Sequence, residues 1–458
     1  MKNKKNNLNV SILIASAIFV EILVFFAFFN YGKFSYSYIP EDSTKFGGEL
    51  EVPDTSIGKK IIMDNEISKK TGLNKIKNNY IFRGNIKNNY LEYNNLTWRI
   101  IEISGDKSVK LILDNYINML PYGKVATNFK NSEISSYLKT TFLPNLDKEK
   151  LVKTFYCDDV INNVKKISCK TKLSNDAYVT LLELNDLNNT IVDGNTFLVN
   201  KGERVLLNNH SSNRVWVTNG AMVSETEPIN FFEIKPVITL SNKNEYKSGD
   251  GTRTNPYKIV ENDDLKIGTQ IKLGNDIWQV FDTRNGLKLS LKGTLPSKYR
   301  FSTIKKEFDI NDKNSLAKYL NTTYFESLPY KDYIVENDYD IGNYKNDLKD
   351  IEKKAVRAKV GVLNILDIKI NPNSFGYFTS TAKGEYIVSY QNPIKLIKRD
   401  MFYRIKPVIT IDEEMLKEFT LIDGIYQIYE EPVEEVVEET IESIETPTET
   451  MEVEQWKQ

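Results

Sequence analysis

Few residues in the chain have side chains suited to chemistry, and they are scattered. Cys157 and Cys169 are the only cysteines. An even cysteine count in an exported chain favours a disulfide. Closing that short loop contributes on the order of 3 kcal/mol in the chain-entropy model. Free thiols and a redox or metal-binding pair are the alternatives. His210 is the sole histidine, in the polar stretch Asn208-Asn209-His210-Ser211-Ser212-Asn213. With no second histidine and no cysteine near it in sequence, it makes a poor zinc centre, and any Ser-His-Asp hydrolase would have to rest on it alone. No catalytic residue, metal ligand or cofactor is therefore assigned.

Three other patterns offer binding chemistry. Asp338-Tyr339-Asp340 and Glu261-Asn262-Asp263-Asp264 supply oxygens of the kind Ca²⁺ takes. They lack the regular spacing of a calcium loop and read as exposed turns. Ser248-Gly249-Asp250-Gly251-Thr252-Arg253-Thr254-Asn255-Pro256-Tyr257 has the glycines of a phosphate cradle. It has no Gly-Lys-Ser/Thr and no helix after it, so it reads as successive turns. Trp98, Trp278 and Trp216 could stack on sugars. The first two lie in apolar strand patterns and belong to the core, which leaves Trp216 as the one candidate ligand-binding residue.

The elements that position these residues come twice. Ile234-Lys235-Pro236-Val237-Ile238-Thr239 recurs unchanged as Ile405-Lys406-Pro407-Val408-Ile409-Thr410, each with an aromatic two residues upstream, Phe232 and Tyr403. Upstream, Leu96 to Ile103 reads as a strand, Ser104-Gly105-Asp106-Lys107 as a turn and Val109 to Leu113 as its return. Asn275 to Phe281 and Gly286 to Leu291 replay that hairpin. Ser132 to Leu143 has helical apolar spacing with Ser132 as cap. Its Tyr137-Leu138-Lys139-Thr140-Thr141-Phe142 returns as Tyr319-Leu320-Asn321-Thr322-Thr323-Tyr324. Val179 to Asp186 matches Val360 to Asp367, and Val215 to Asn219 loosely matches Tyr377 to Ser380. A period near 175 residues is too long for a solenoid and indicates tandem domains. Proline in the repeated hexapeptide suggests an edge or terminal strand position.

Composition and charge set the surroundings. The chain is 40% hydrophobic and 11% aromatic, and aromatic rings favour strands over helices. The net charge of -1 hides an asymmetry. From Glu430 onward eleven Glu and one Lys give -10, leaving +9 on the rest. That mild, dispersed excess supplies no concentrated patch for nucleic acid. Val10 to Phe29 is apolar except for Ser11, Ser16 and Glu21. As a helix it is about 30 Å long, the thickness of a hydrocarbon core. Lys2, Lys4 and Lys5 before it, with Tyr31, Phe34, Tyr36 and Tyr38 after it, predict an N-terminus in the cytoplasm and a body outside. A cleaved export signal is the alternative, and it too exports the body.

The Trp-strand with its Gly-Asp turn, the Tyr-Leu-Lys/Asn-Thr helix, the Lys-Pro-Val-Ile strand and the Ser-Gly-Asp-Gly-Thr…Asn-Pro-Tyr connector together resemble an uncharacterised repeat domain of surface proteins from low-GC Gram-positive bacteria. That family is distantly similar to the C-type lectin-like fold of formylglycine-generating enzymes. The resemblance covers residues 79–260 and 261–412 and implies that first and last strands pair around a loop-rich region. It implies no active site. The formylglycine-generating relatives use a cysteine pair at their site, whereas the second copy here has no cysteine.

The expected fold class is α+β. Residues 1–9 are read as cytoplasmic, 10–30 as a transmembrane helix in the lipid bilayer and 31–78 as a stalk with a short helix. Residues 79–241 and 261–412 form lectin-like domains joined by a linker at 242–260, and 413–458 carry a disordered acidic tail. The expected function is a cell-surface binding or adhesion protein, not an enzyme, recognising a glycan or protein ligand. An envelope structural or assembly protein is the alternative, and the acidic tail is expected to meet a basic partner.

Overall fold

A computed structural model describes residues 54–428, apart from 166, 170–172, 199–201, 263–264, 306, 349–350, 352–353 and 371–374. The apolar run 10–30 and the acidic tail from Glu430 lie outside these residues. Among the described residues no helix is long and apolar enough to cross a membrane. The chain is β-rich, built on several sheets with short helices between them.

The duplication read in the sequence reappears in the strand topology. In the first module the main sheet runs Val179–Thr180, Val237–Leu240, Val109–Leu113, Leu96–Ile103, Tyr90–Tyr93, Tyr257–Ile259, Tyr246–Ser248. The second runs Ile334–Val335, Pro407–Ile411, Leu287–Leu291, Asp276–Asp282, Gln270–Leu273, Ile425–Ile428, Phe419–Ile422, with Val360–Val362 also on Pro407–Ile411. Even the register repeats. Trp98 pairs with Leu113 and Trp278 with Leu291, and each hairpin then carries a bulge, after Ile100 and after Val280. Both tryptophans are fully buried. Their indole N–H groups find acceptors at Tyr93 O and Tyr330 Oη, as a buried indole requires.

The repeated hexapeptide lies inside the sheet and not at its edge. Val237–Leu240 runs between Val109–Leu113 and Val179–Thr180, and Pro407–Ile411 is flanked in the same way. Pro236 precedes the first strand and Pro407 opens the second, so the missing N–H interrupts neither ladder.

The connector is also part of a sheet. Tyr257–Ile259 joins Tyr90–Tyr93 in parallel, and Tyr257 is fully buried. Asp250 accepts the Thr252 N–H, and its own N–H reaches Asn255 O. Gly249 (φ +96) and Gly251 (φ +80) permit the turns. A Cβ would come within 1.9 Å of Pro256 O at the first and within 2.4 Å of the Tyr257 ring at the second. Ile425–Ile428 takes the same place in the second module, parallel to Gln270–Leu273. The region read as stalk contributes the helix Ile57–Asp64, whose Ile57 and Ile61 are fully buried, and the strand Gly72–Ile76.

Both Tyr-Leu-Lys/Asn-Thr segments begin as capped α-helix and widen into a π-turn, Leu138–Phe142 and Leu320–Tyr324. Each module adds a second sheet of hairpins. In the first it is Met222–Thr226, Arg214–Asn219, Arg204–Ser211, Phe232–Ile234 and Asn118–Leu120. In the second it is Lys354–Ala358, Asn337–Asn343, Tyr377–Lys383, Tyr386–Tyr390 and Lys395–Lys398.

The modules dock closely. Asn118 in the first donates to Ile365 O and Asp367 O in the second, at 2.8 and 3.0 Å. Lys369 N reaches Ile117 O, Thr283 N reaches Asn145 Oδ1, and Leu348 N reaches Glu133 Oε2.

Candidate functional site

Of the residues singled out in the sequence, Cys157 and Cys169 form a disulfide, Cα atoms 5.8 Å apart. Asp159 places a carboxylate oxygen near the two sulfurs. With both sulfurs in the S–S bond there is no thiolate, and this trio is not a metal site in the oxidised protein. Trp216 is 8% exposed, packs edge-on against His210 with centroids 4.8 Å apart, and donates its indole N–H to Ile161 O. His210 Nδ1 lies 2.7 Å from a carboxylate oxygen of Glu225. Asp338-Tyr339-Asp340 lies in the strand Asn337–Asn343, with Asp338 facing Arg357. Glu261 accepts the Asn94 N–H and pairs with Lys266, and Asp263 and Asp264 lie outside the described residues.

Duplicated charge clusters are what the sequence reading missed. At the hairpin bulge Glu102 stands opposite Lys110 in the first module, and Asp282 stands opposite Lys288 in the second. Lys110 Nζ lies 2.6 Å from Asp186 and 3.5 Å from Glu183. Burial alone would push this ammonium down. Asp186, Glu183 and Glu102 together outweigh it and hold Lys110 above its ordinary range. Burial pushes Glu183 up to about 7 against the pull of Lys110, while its Oε2 accepts the Cys157 N–H at 2.9 Å. The disulfide loop is thereby tied to the cluster.

In the second module Asp367 takes the place of Asp186, and a further lysine joins it. Lys369 donates to the carbonyls of Asn364, Ile365 and Asp367 and lies 4.8 Å from the Tyr390 ring centroid. Burial pushes Lys369 down and Asp367 up, each opposed by the other's charge. Asn118 grips the outside of this loop, so the cluster also forms part of the module junction. The hexapeptide lysines complete the pattern. Lys235 Nζ donates to Asp114 O, and Lys406 Nζ donates to Leu291 O. Burial lowers Lys235 to about 7 and Lys406 to about 8. Each of these charges is bound to backbone or to carboxylate inside the fold, an arrangement suited to clamping strands together.

The residues flanking the hexapeptide differ between copies in a way that bears on binding. Phe231-Phe232-Glu233 in the first module corresponds to Phe402-Tyr403-Arg404 in the second. Phe231 packs on Tyr344 of the second module, and Glu233 is fully buried, with Asn392 of the second module donating to it. The first module's face is covered by the second. The corresponding face of the second module is open. Phe402 is 57% exposed, Met401 53% and Phe375 60%.

Cations sit among these rings. Arg300, cross-strand from Phe402, holds its guanidinium 4.6 Å from that ring, and Arg404 holds its own 5.0 Å from Phe375. The next edge, Lys395–Lys398, exposes Lys395, Leu396 and Lys398. Backbone bonds from Phe301 and Ser302 to Arg399 O, and from Met401 to Lys398 O, join these segments into one surface. Arg399 is paired with Glu385, whereas Arg300, Lys395, Lys398 and Arg404 make no ion pair among the described residues.

Comparison with family models, with curated proteins and with solved structures finds no match.

Proposed function

We propose that the chain is a membrane-anchored binding protein, held in the bilayer by residues 10–30 with its modules outside. Its ligand face is the open face of the second module, and the ligand is an anionic component of the cell envelope. The observation that carries this reading is the Arg300–Phe402 and Arg404–Phe375 platform, left open at the position where the first module is covered. Exposed apolar side chains with cations set against their rings are a common form of interaction surface. Pairing of an early strand with a late one in each module, Tyr90–Tyr93 with Tyr257–Ile259 and Gln270–Leu273 with Ile425–Ile428, supports the lectin-like reading of the architecture. Docking of the modules into each other supports a scaffold that presents one such face.

The test is retention of the full-length chain on isolated cell walls, with their anionic polymers intact or chemically stripped. Salt-sensitive retention on intact walls only, lost in the double variant Arg300→Glu/Arg404→Glu, is the expected result. Retention indifferent to both stripping and charge reversal overturns the reading.

A further inference from the structure

We propose that the chain's own acidic C-terminal segment, residues 433–444, docks on the open face of the second module and competes there with the external ligand. This rests on the reading that the open face is the ligand face.

The segment's sequence fits that surface in charge and in apolar pattern. Val433, Val436, Val437, Thr440, Ile441 and Ile444 recur at i, i+3, i+4, i+7, i+8 and i+11. On a helix they make one narrow stripe. Glu434, Glu435, Glu438, Glu439, Glu442 and Glu445 take the other side. Pro432 before the stretch and Pro447 after it suit the ends of a helix and not its interior. The stripe matches Phe402, Met401, Phe375 and Leu396, and the glutamates match Arg300, Lys395, Lys398 and Arg404.

The last described strand ends within reach of the face. Ile425–Ile428 runs parallel to Gln270–Leu273 and so ends beside the turn at Gly274. Leu291, paired with Trp278, and the start of Pro407–Ile411 lie at that same end of the sheet. The open face adjoins it, four strands along, about 19 Å at ~4.8 Å per strand. Residues 429–432 extended reach about 14 Å, and a helix over 433–444 covers about 18 Å more.

Comparison of the two modules supplies the reason for a cover. Where the first module has Glu233, buried beneath the second module, the second has Arg404 at its open face. The charge at this position is reversed, and an acidic segment is the complement that Arg404 calls for.

The test uses a fluorescent peptide of residues 430–458 titrated into the full-length chain and into the variant Val437→Asp/Ile441→Asp, whose own stripe is broken. A tethered segment acts at millimolar effective concentration. The peptide is therefore expected to bind the broken-stripe chain at least ten-fold more tightly than the intact chain. Binding should weaken with salt and be lost on Phe402→Ala or Arg404→Glu, while unfolding midpoints stay near wild type. Equal binding to the two chains, binding to neither, or binding indifferent to Phe402→Ala overturns the proposal. A dimer seen by sedimentation in the intact chain and absent from the broken-stripe chain assigns the segment to a second copy and overturns docking within one chain. Wall retention that needs Phe402 without any peptide binding removes the tail and keeps the ligand face. Peptide docking without wall retention does the reverse.

Discussion

Phe231 of the first module packs against Tyr344 of the second with ring centroids 5.6 Å apart and planes tilted by 59°. Beside this contact Asn118 bridges to Ile365 O and Asp367 O. Two modules tied by an aromatic contact and by buried side-chain-to-backbone hydrogen bonds should unfold together.

Asn118→Ala should break that union. It removes two hydrogen bonds across the junction, about 1–3 kcal/mol together, while Lys369 still donates to both carbonyls. Combined with Phe231→Ala, the junction should weaken by about 3–5 kcal/mol. Urea unfolding followed by tryptophan fluorescence checks this. Wild type should show one transition and the double variant two. A single transition at the wild-type midpoint would mean that the modules are joined by something else.

Lys110→Met should be among the most damaging substitutions in the first module. It strips the cation from Glu102, Glu183 and Asp186 and leaves buried carboxylates facing one another. Breaking a buried charge pair costs about 3–5 kcal/mol. The cost should shrink as pH falls from 7 to 5, because Glu183 and Glu102, both pushed up by burial, can then take up protons. Unfolding midpoints of wild type and variant at the two pH values give the comparison, and a deficit independent of pH would count against the cluster.

The lysine of the repeated hexapeptide makes a prediction of opposite sign. Burial lowers Lys406 to about 8 from an ordinary 10.5. The folded chain therefore holds fewer protons than the unfolded chain between these values, and stability rises with pH across that window. Its contribution is complete above about 10.5 and is lost as pH falls through about 8. Lys406→Met should flatten that part of the curve, a difference on the order of 2 kcal/mol. The wild-type-minus-variant difference in unfolding free energy from pH 8 to 10.5 isolates it from tyrosine titration. A constant difference would argue that Lys406 stays charged in the fold.

The sequence made the duplicated frame legible because apolar alternation and repeated Trp, Tyr-Leu-Thr and Lys-Pro-Val-Ile anchors report directly on strands and core. It was silent on the charge clusters. Val109-Lys110-Leu111 alternates as though Lys110 faced water, and nothing local shows that Glu183 and Asp186 return to cover it. The connector read correctly as turns, but its parallel pairing with Tyr90–Tyr93 depends on long-range closure that no local signal carries. The open face was hidden for a related reason. Phe231 and Phe402 are the same residue in matching positions, and only the docking of one module on the other covers the first and leaves the second exposed.

Asn321 and Lys139 occupy the same place in the two π-turns but do different work. Asn321 donates to Ala317 O and Val360 O, and its Oδ1 accepts the N–H groups of Lys359 and Val360. One side chain thus fastens the π-turn to the strand Val360–Val362. Lys139 is exposed. Exchanging the two should be asymmetric. Asn321→Lys removes an acceptor that lysine cannot supply and leaves the Val360 N–H without it, which should cost the second module about 2–4 kcal/mol. Lys139→Asn alters an exposed position and should stay within about 0.5 kcal/mol. Chemical denaturation of both variants tests the pair. Equal costs would show that the π-turn, and not the asparagine bridge, carries the attachment.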